Sequence, residues 1–349
     1  RQRRAEKEAK KEARENTRKE RSRRKTALRV ENLADMFMDY IADPNNHNKK
    51  GRPWSPRTQR EYRQHLYNKF IPVFGDALVK ELEARDVSAW IGKLAVDTPV
   101  QANRVLATLR VMFGWAANPN RGYMDTNIAA GIEKPKGETS KTRALDYSPE
   151  LEEVTNTGEI KQFWNGLENA NPLHRLALQM ILLTGQRPNE IYTARWEHII
   201  DDDRWVIPKD VTKNRRIHKV PLTPMLRKHL KEIAKFSGGS PFLFPQSRYE
   251  EGVLAITKGR QGRDAPVVGT TVSKAIKAHL PDMDPFTPHD LRRTVATHLK
   301  SLNVPEAEIG DLLNHTLSGV TAIYARGGGD IDLMRKNLDK WHRQLNMIL

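Results

Sequence analysis

Cysteine is absent from this chain of 349 residues. Its absence excludes a disulfide framework, thiolate zinc sites and cysteine nucleophiles, and it fits a reducing cytosol. Long apolar runs are also missing, since the longest, around LALQMILLTG, is far shorter than the roughly 20 residues of a membrane-spanning helix. No secretory signal is recognisable. The sequence therefore carries no sign of secretion or of membrane insertion.

Basic residues are abundant, with 59 Lys or Arg against 43 Asp or Glu and a net charge of +16. Such an excess favours a polyanionic partner, and nucleic acid is the leading class, with an anionic membrane surface as the alternative. A chain of this length predicts about two domains. It begins at Arg1 rather than Met, so we expect that upstream sequence is missing.

The first part of the chain separates into a charged segment, a helical domain and a linker. Residues 1–25 hold 13 Lys or Arg and 5 Glu, so we predict a basic linker helix or arm over 1–27. Apolar residues then recur at helical spacing, as at Leu33, Phe37 and Ile41, which predicts an all-helical domain over 28–133. The polar segment 134–146 contains Pro and Gly and is typical of an interdomain linker.

A basic stripe is predicted on the second helix of that domain, which Ser55 and Pro56 begin. Its arginines step three residues at a time and suit a DNA backbone, although an ordinary solvated face would have the same pattern. The predicted DNA contacts of this domain and its linker are Arg57, Arg60, Arg63, Arg104, Lys134 and Lys136.

The second domain is predicted to span 147–330. A helix over 172–184 ends at Gly185, and a β-hairpin over 204–222 places Lys213 near its tip. Further helices are predicted at 270–280, 288–302, 305–313 and 318–326, whereas 237–268 is left unassigned. A last helix, 331–349, carries an apolar seam that suits either its own domain or a neighbouring protomer.

The stretch TPHDLRRTVATHLK, residues 287–300, begins with a helix start signal. Thr287 is a good N-cap, Pro288 suits the first helical position, and Asp290 completes a capping box. His289 and Arg292 lie three residues apart and project together from a helix N-terminus, which favours an anion. A surface pair without a partner is the alternative.

Four stretches carry a resemblance to a known family: TGQRPNEI at 184–191, the hairpin lysine, HDLRRT at 289–294 and LLNHTLSGVTAIYAR at 312–326. In this order and spacing they resemble the tyrosine recombinase, or phage integrase, family, and in particular its phage and genomic-island branch. One departure is Asn314, where many relatives have Gly, but Asn tolerates the left-handed conformation. The candidate catalytic residues are Arg187, Lys213, His289, Arg292, His315 and Tyr324.

These residue types suit the cleavage of a DNA phosphodiester without a metal. Arg187 and Arg292 would stabilise the charge that builds on the five-coordinate phosphate. The two histidines would hydrogen-bond the same oxygens, and His289 would accept the proton of the nucleophile, Tyr324. Lys213 would protonate the leaving 5′ oxygen, although a solvated turn lysine is its simpler interpretation. Glu190 would support Arg187 by pairing with it.

The resemblance implies a mainly α fold with a small β-sheet: an all-helical core-binding domain plus a mixed α+β catalytic domain, forming a clamp around DNA. It implies a site-specific recombinase that integrates or excises a mobile element through a 3′-phosphotyrosine intermediate. No cofactor and no metal would be needed. The implied partners are double-stranded DNA, three further copies of the chain in a tetramer on two DNA sites, and optional DNA-bending proteins. Such an enzyme would work in the cytoplasm, at the bacterial nucleoid.

Other functions remain open from the sequence. A type IB topoisomerase would use nearly the same residues to relax DNA, and a non-catalytic protein could use the cluster only to bind or bend DNA. A metallonuclease could employ His289, His298 and His315, but no carboxylate accompanies them at metal-ligand spacing. Tyr192 is the other tyrosine near Arg187, and its helical position favours packing.

Overall fold

The computed structural model describes residues 27–137, 143–259, 262–315 and 329–349. The chain divides into two compact units, Arg1–Ser140 and Lys141–Leu349. The division falls inside the segment 134–146 that the sequence predicts as a linker.

The first unit is built from helices joined by turns and loops in its described part. The helix at Pro56–His65 continues into a π-helical turn, Leu66–Phe70, which leads to the short helix at Ile71–Phe74. The helices are α1 (Val30–Ala42), α2 (Pro56–His65), α3 (Ile71–Phe74), α4 (Ala84–Asp97) and α5 (Pro99–Ala116).

Local sequence signals explain where these helices begin and which face they bury. The Ser55 side chain accepts a hydrogen bond from the Thr58 amide at 3.2 Å, which caps α2 as its sequence predicts. Leu33, Phe37 and Ile41 of α1 are all buried, since they lie on one face of the helix. They pack with the apolar face of α5 in one core, so the unit has its own hydrophobic interior.

The second unit combines helices with three small antiparallel sheets. Its helices are α6 (Glu159–Gly166), α7 (Pro172–Thr184), α8 (Pro188–Tyr192), α9 (Pro224–Phe236), α10 (Gly269–His279), α11 (Pro288–Ser301), α12 (Glu306–Leu312) and α13 (Ile331–Ile348). Its strands are β1 (Tyr147–Ser148), β2 (Glu153–Val154), β3 (Ile199–Ile200), β4 (Arg204–Ile207), β5 (His218–Pro221), β6 (Ser247–Glu250) and β7 (Val253–Ile256). Among the described residues no helix is both long and apolar enough to cross a membrane. The helix predicted at 318–326 lies outside them.

The predicted hairpin over 204–222 is confirmed. Strands β4 and β5 pair with Trp205 opposite Val220, and β3 extends them to a sheet in the order β3-β4-β5. A second hairpin, β6 and β7, occupies part of the stretch that the sequence left unassigned. Its turn places Glu251 and Gly252 at φ of +50° and +83°. Glu is unusual in that left-handed region, which explains why the turn was not recognised.

Helix α7 lies at the centre of the second unit, where nearly all of its side chains are buried. It ends where Gly185 adopts φ +66°, a conformation that favours glycine, as the sequence predicts. The chain then turns at once into α8, whose first residue is Pro188. This tight connection fixes the position of Arg187 between two helices.

The last helix, α13, packs on its own unit. Met334, Leu338, Trp341 and Leu345 of the predicted seam are buried in the core of that unit. The indole of Trp341 also donates a 2.8 Å hydrogen bond to the carbonyl of Leu182 in α7. Of the two interpretations open from the sequence, the structure therefore has the seam packed within its own domain.

Candidate active site

The start of α11 holds the predicted histidine and arginine in different environments. The Asp290 carboxylate accepts from the amide and hydroxyl of Thr287 at 2.8 and 2.7 Å, so the predicted capping box is present. His289 reaches the surface, whereas Arg292 is only 3% exposed. One turn of helix thus offers an accessible imidazole above a buried guanidinium.

Arg292 is held by backbone carbonyls. Its two terminal nitrogens donate to the carbonyls of Gly185 at 3.0 Å and Leu313 at 2.6 Å. Burial and repulsion from Arg187 lower the pKa of Arg292 to about 9, against an opposing effect of Glu190. The guanidinium remains charged at neutral pH and has no carboxylate partner of its own within the described ranges, so it is ready for an anion.

Arg187 is the N-cap residue of α8 and pairs with a carboxylate inside that helix. Glu190 accepts from the Arg187 amide at 3.1 Å and from its guanidinium at 3.0 Å. Glu190 is 2% exposed, so the ion pair is largely shielded from water. The predicted pairing of these two residues is present, and it fixes the direction of the Arg187 side chain.

Both arginines converge on one turn that precedes His315. The Leu313 carbonyl accepts from Arg292, and the next carbonyl, Asn314, accepts from Arg187 at 3.1 Å. Asn314 adopts φ +52°, the left-handed conformation that the sequence allowed for it. The turn therefore gathers two cations and a histidine at one place.

The two candidate histidines respond to these cations. Reduced hydration, Arg292 and Arg187 together lower the pKa of His315 to about 4. The pKa of His289 is lowered as well, by reduced hydration first and then by Arg293 and Arg292. At neutral pH both imidazoles are therefore uncharged, so each can donate one hydrogen bond and accept another.

A further pair of buried side chains supports the same turn and was missed from the sequence. Gln186 and His218 both donate to the Leu312 carbonyl, at 2.8 and 3.1 Å. Burial lowers the pKa of His218 to about 4, with Arg292 and Arg187 adding to the shift. His218 follows a basic run and is the first residue of β5, so only its tertiary position reveals that it supports the turn before His315.

Lys213 lies in the loop between β4 and β5, as predicted for a hairpin tip, and its side chain is exposed. Its neighbour Asn214 reaches the turn that holds the arginines. The Asn214 amide donates to the Asn314 side-chain oxygen at 2.5 Å and lies 3.4 Å from the Asn314 carbonyl oxygen. The lysine loop is thus joined to the rest of the site.

The predicted nucleophile, Tyr324, lies outside the described residues, and its role stays a prediction. Tyr192, the alternative tyrosine, is buried against Gly269, where an added Cβ would lie 2.9 Å from the aromatic ring. Burial raises the pKa of the Tyr192 hydroxyl well above its ordinary value. Tyr192 is therefore a packing residue, unsuited to act as a nucleophile.

His298, which the metallonuclease alternative would need, is buried in the second unit. Its Nε2 atom donates to the Leu145 carbonyl at 3.0 Å, and its ring packs 5.2 Å from that of Trp341. His298 belongs to α11, so these two contacts join α11 to Leu145, which precedes β1, and to Trp341 of α13. His298 is structural.

The predicted DNA contacts of the first unit divide between surfaces. Arg57 and Arg104 line one open groove between α2 and α5, together with Lys69. Arg63 instead lies over the ring of Tyr67, 5.2 Å from its centre. Of the three arginines in the predicted stripe, Arg57 lines this groove, whereas Arg60 and Arg63 do not, and the contact of all three with DNA stays a prediction.

The lysines of the predicted linker are exposed close to the start of α5. Lys134 and Lys136 flank Pro135, whose carbonyl accepts from Asn103 of α5 at 3.2 Å. This contact fixes their backbone on the first unit. Both side chains are accessible to a polyanion.

Comparison with known proteins shows to which family the chain belongs. The model of the phage integrase family matches residues 153–327, half of the chain, and the match includes every candidate catalytic position from Arg187 to Tyr324. The chain belongs to the phage integrase family. The resemblance inferred from the four short stretches is confirmed.

Relatives in this family include two prophage integrases of Escherichia coli K12. IntZ is 27% identical over 228 residues, which cover 65% of this chain and 54% of that protein. IntA is 27% identical over 261 residues, covering 72% and 56%. The chain therefore spans about half the length of these curated relatives.

Solved integrase structures share the fold. A lambda integrase dimer bound to a COC′ core site matches with a TM-score of 0.61 and 18% identity, covering 90% of this chain and 81% of that one. The Tn1549 transposon integrase in complex with circular intermediate DNA matches with a TM-score of 0.53 and 14% identity, covering 88% and 98%. The predicted fold class, mainly α with a small β-sheet, is confirmed.

Proposed function

We propose that the chain is a site-specific DNA recombinase that cleaves and rejoins DNA through a covalent 3′-phosphotyrosine. One observation carries the proposal: Arg187 and Arg292 are held by consecutive carbonyls of the turn before His315. Of the two guanidinium groups, only that of Arg187 is paired with a carboxylate, Glu190, among the described residues, which leaves an excess of positive charge for a phosphate. Family membership supports the same conclusion.

In the proposed cleavage step, Tyr324 attacks the phosphorus atom and gives its proton to neutral His289. Arg187 and Arg292 stabilise the negative charge on the non-bridging oxygens, since a guanidinium fork suits two oxygens of a phosphate. His315 donates a hydrogen bond to one of them. The bond to the 5′ oxygen breaks, and Lys213 supplies the proton that this oxygen takes.

The proposed substrate is double-stranded DNA that contains the attachment sites of a mobile element, which is integrated or excised. Solved relatives include a lambda integrase tetramer bound to a Holliday junction. By analogy we propose a tetramer on two DNA sites, with optional DNA-bending proteins. The enzyme would act in the cytoplasm, on DNA of the bacterial nucleoid.

A cleavage assay with nicked half-site DNA tests the proposal, because loss of the short strand beyond the nick prevents religation and traps the adduct. The wild-type chain should form a covalent DNA adduct in the presence of a chelator, and Tyr324→Phe should form none. Tyr192→Phe is the matched control: its hydroxyl is buried and unpaired among the described residues, so adduct formation should persist. A wild-type chain that binds the DNA without forming an adduct would contradict the proposal.

A further inference from the structure

The loop that carries Lys213 is held together by hydrogen bonds of one side chain, Thr212. The Thr212 hydroxyl lies within hydrogen-bond distance of the carbonyls of Lys209, at 3.2 Å, and Arg216, at 2.7 Å. Thr212 is itself buried, and its hydroxyl joins the two arms of the loop between β4 and β5. Lys213 itself is exposed and, among the described residues, forms no hydrogen bond or ion pair. Internal contacts therefore shape the loop without placing it relative to the phosphate pocket.

The placement comes from the next residue. Asn214 and Asn314 face each other through their side-chain amides, with the Asn214 donor at 2.5 Å and the reverse contact at 3.4 Å. They are 100 residues apart, so this amide pair joins two distant segments. The Asn314 carbonyl accepts from Arg187 and lies 3.4 Å from the Asn214 amide. One peptide group is thus shared by a phosphate-binding arginine and the lysine loop.

The backbone conformation of Asn314 is slightly strained. Its φ of +52° lies in the left-handed region, where glycine would be free of side-chain strain. Asn is tolerated there, and its side chain supplies the contact to the loop that glycine lacks. Asn314 therefore retains a small backbone strain, and its side chain holds the Lys213 loop in a defined position.

We propose that the Asn214–Asn314 amide pair positions Lys213 for proton transfer to the leaving 5′ oxygen. The inference rests on the proposed function, in which Lys213 is the acid. Asn214 and Asn314 touch neither the phosphate nor the leaving group in this account, so they are positioning residues. Without the pair, the loop samples other placements, and the fraction of chains with Lys213 in place falls.

The expected loss is on the order of tenfold in the single-turnover cleavage rate, the equivalent of about one net hydrogen bond. Three variants weaken the pair in different ways. Asn214→Ala and Asn214→Leu both remove the contacts to Asn314, together with the 3.3 Å hydrogen bond that the Arg216 amide donates to Asn214, and leucine keeps the volume. Asn314→Gly removes the partner side chain while suiting the backbone. The double variant, Asn214→Ala with Asn314→Gly, should be no slower than either single variant, because each already breaks the pair.

The test compares DNA that has a normal bridging 5′ oxygen with DNA in which sulfur replaces it. A thiolate leaves without a proton, so a residue that acts through Lys213 should matter only for the oxygen substrate. We expect each variant to be slow on oxygen DNA and close to wild type on sulfur DNA. Asn303→Gly is the matched control, since Asn303 is exposed, has φ +56° and lies in the same unit. It should resemble wild type on both substrates.

Two outcomes overturn the positioning role while leaving the function intact. Wild-type rates of Asn214→Ala on oxygen DNA would show that the pair is dispensable, and an equal loss on both substrates would show that it acts through Arg187. Lys213→Ala provides the separate test of the acid role. If sulfur fails to rescue Lys213→Ala, the acid assignment falls and the positioning proposal falls with it.

Discussion

At the scale of single residues, the two arginines of the site differ in how their charge is compensated. Arg187 shares a buried ion pair with Glu190, whereas Arg292 relies on the Gly185 and Leu313 carbonyls. A carbonyl orients a guanidinium but neutralises none of its charge. Arg292 therefore contributes the uncompensated charge of the pocket, and Arg187 contributes a second donor in a fixed direction.

Buried histidines make the second unit sensitive to acid. Burial lowers the pKa of His229 from 6.5 to about 4, although its Nε2 atom donates to the Leu176 carbonyl at 2.9 Å. Because the folded pKa lies below the unfolded value, the unfolded chain takes up the proton first as the pH falls. Stability is complete above about pH 6.5 and declines towards pH 4, by about 1.4 kcal/mol per pH unit for one such group.

We expect His229→Gln to flatten this decline, since glutamine can donate to the same carbonyl and does not titrate. Urea unfolding at pH 7.5, 6 and 5 measures the effect as the difference between variant and wild type. His47→Gln is the control, because His47 is exposed in the first unit, and it should follow the wild type. Identical pH profiles for wild type and His229→Gln would contradict the account.

The sequence allowed prediction of those site residues whose chemistry is local. Arg187 with Glu190, and the capping box that presents His289, lie within a few residues of each other and have recognisable spacing. Asn214, Gln186 and His218 could not be predicted, because each acts on a turn about 100 residues away. Nothing in their own neighbourhoods distinguishes them from ordinary polar residues.

At the scale of elements, helix α13 shows most clearly that a sequence pattern does not determine which surface an apolar face covers. A heptad-like apolar seam has the same sequence whether it covers its own core or a partner. Here Trp341 is 0% exposed and bonded to α7, so the seam completes the core of the second unit. Hairpin and helix positions could be predicted from capping and alternation, whereas the surface that an apolar face covers depends on tertiary packing.

Removing this packing should destabilise the second unit. Trp341→Ala deletes a fully buried side chain and its hydrogen bond, so we expect a loss of about 3–5 kcal/mol in the free energy of unfolding. Met347→Ala, on the same helix but 75% exposed, should change stability by less than about 0.5 kcal/mol. Denaturant unfolding of the full chain measures both. If both variants changed the free energy of unfolding by equally small amounts, the packing of α13 on its own domain would be contradicted.

At the scale of the whole molecule, positive charge is distributed over several surfaces. Residues 1–25 carry an excess of eight positive charges, half of the net +16. The first unit adds the groove of Arg57, Lys69 and Arg104, and the second adds the cluster of Arg187 and Arg292, in which Arg292 is buried. Each of these groups of basic residues favours a polyanionic partner.

Deletion of residues 1–25 should weaken DNA binding and reduce its dependence on salt. Each phosphate contact that is lost reduces the magnitude of the negative slope of log K against log salt by roughly 0.9. Binding measured between 50 and 200 mM salt, on specific and unrelated DNA, gives this slope. An uncharged Gly-Ser segment of equal length is the control and should behave like the deletion. An unchanged slope after deletion would show that the segment makes no phosphate contacts.

Mapping the residue that becomes linked to DNA tests the central claim most directly. The wild-type chain is incubated with nicked half-site DNA, the adduct is digested with protease and nuclease, and the modified peptide is sequenced by mass spectrometry. The account predicts a nucleotide on Tyr324, linked through its 3′ phosphate. A linkage on Tyr192 or any other residue, or a 5′ phosphate linkage, would contradict the assignment of this chain's site.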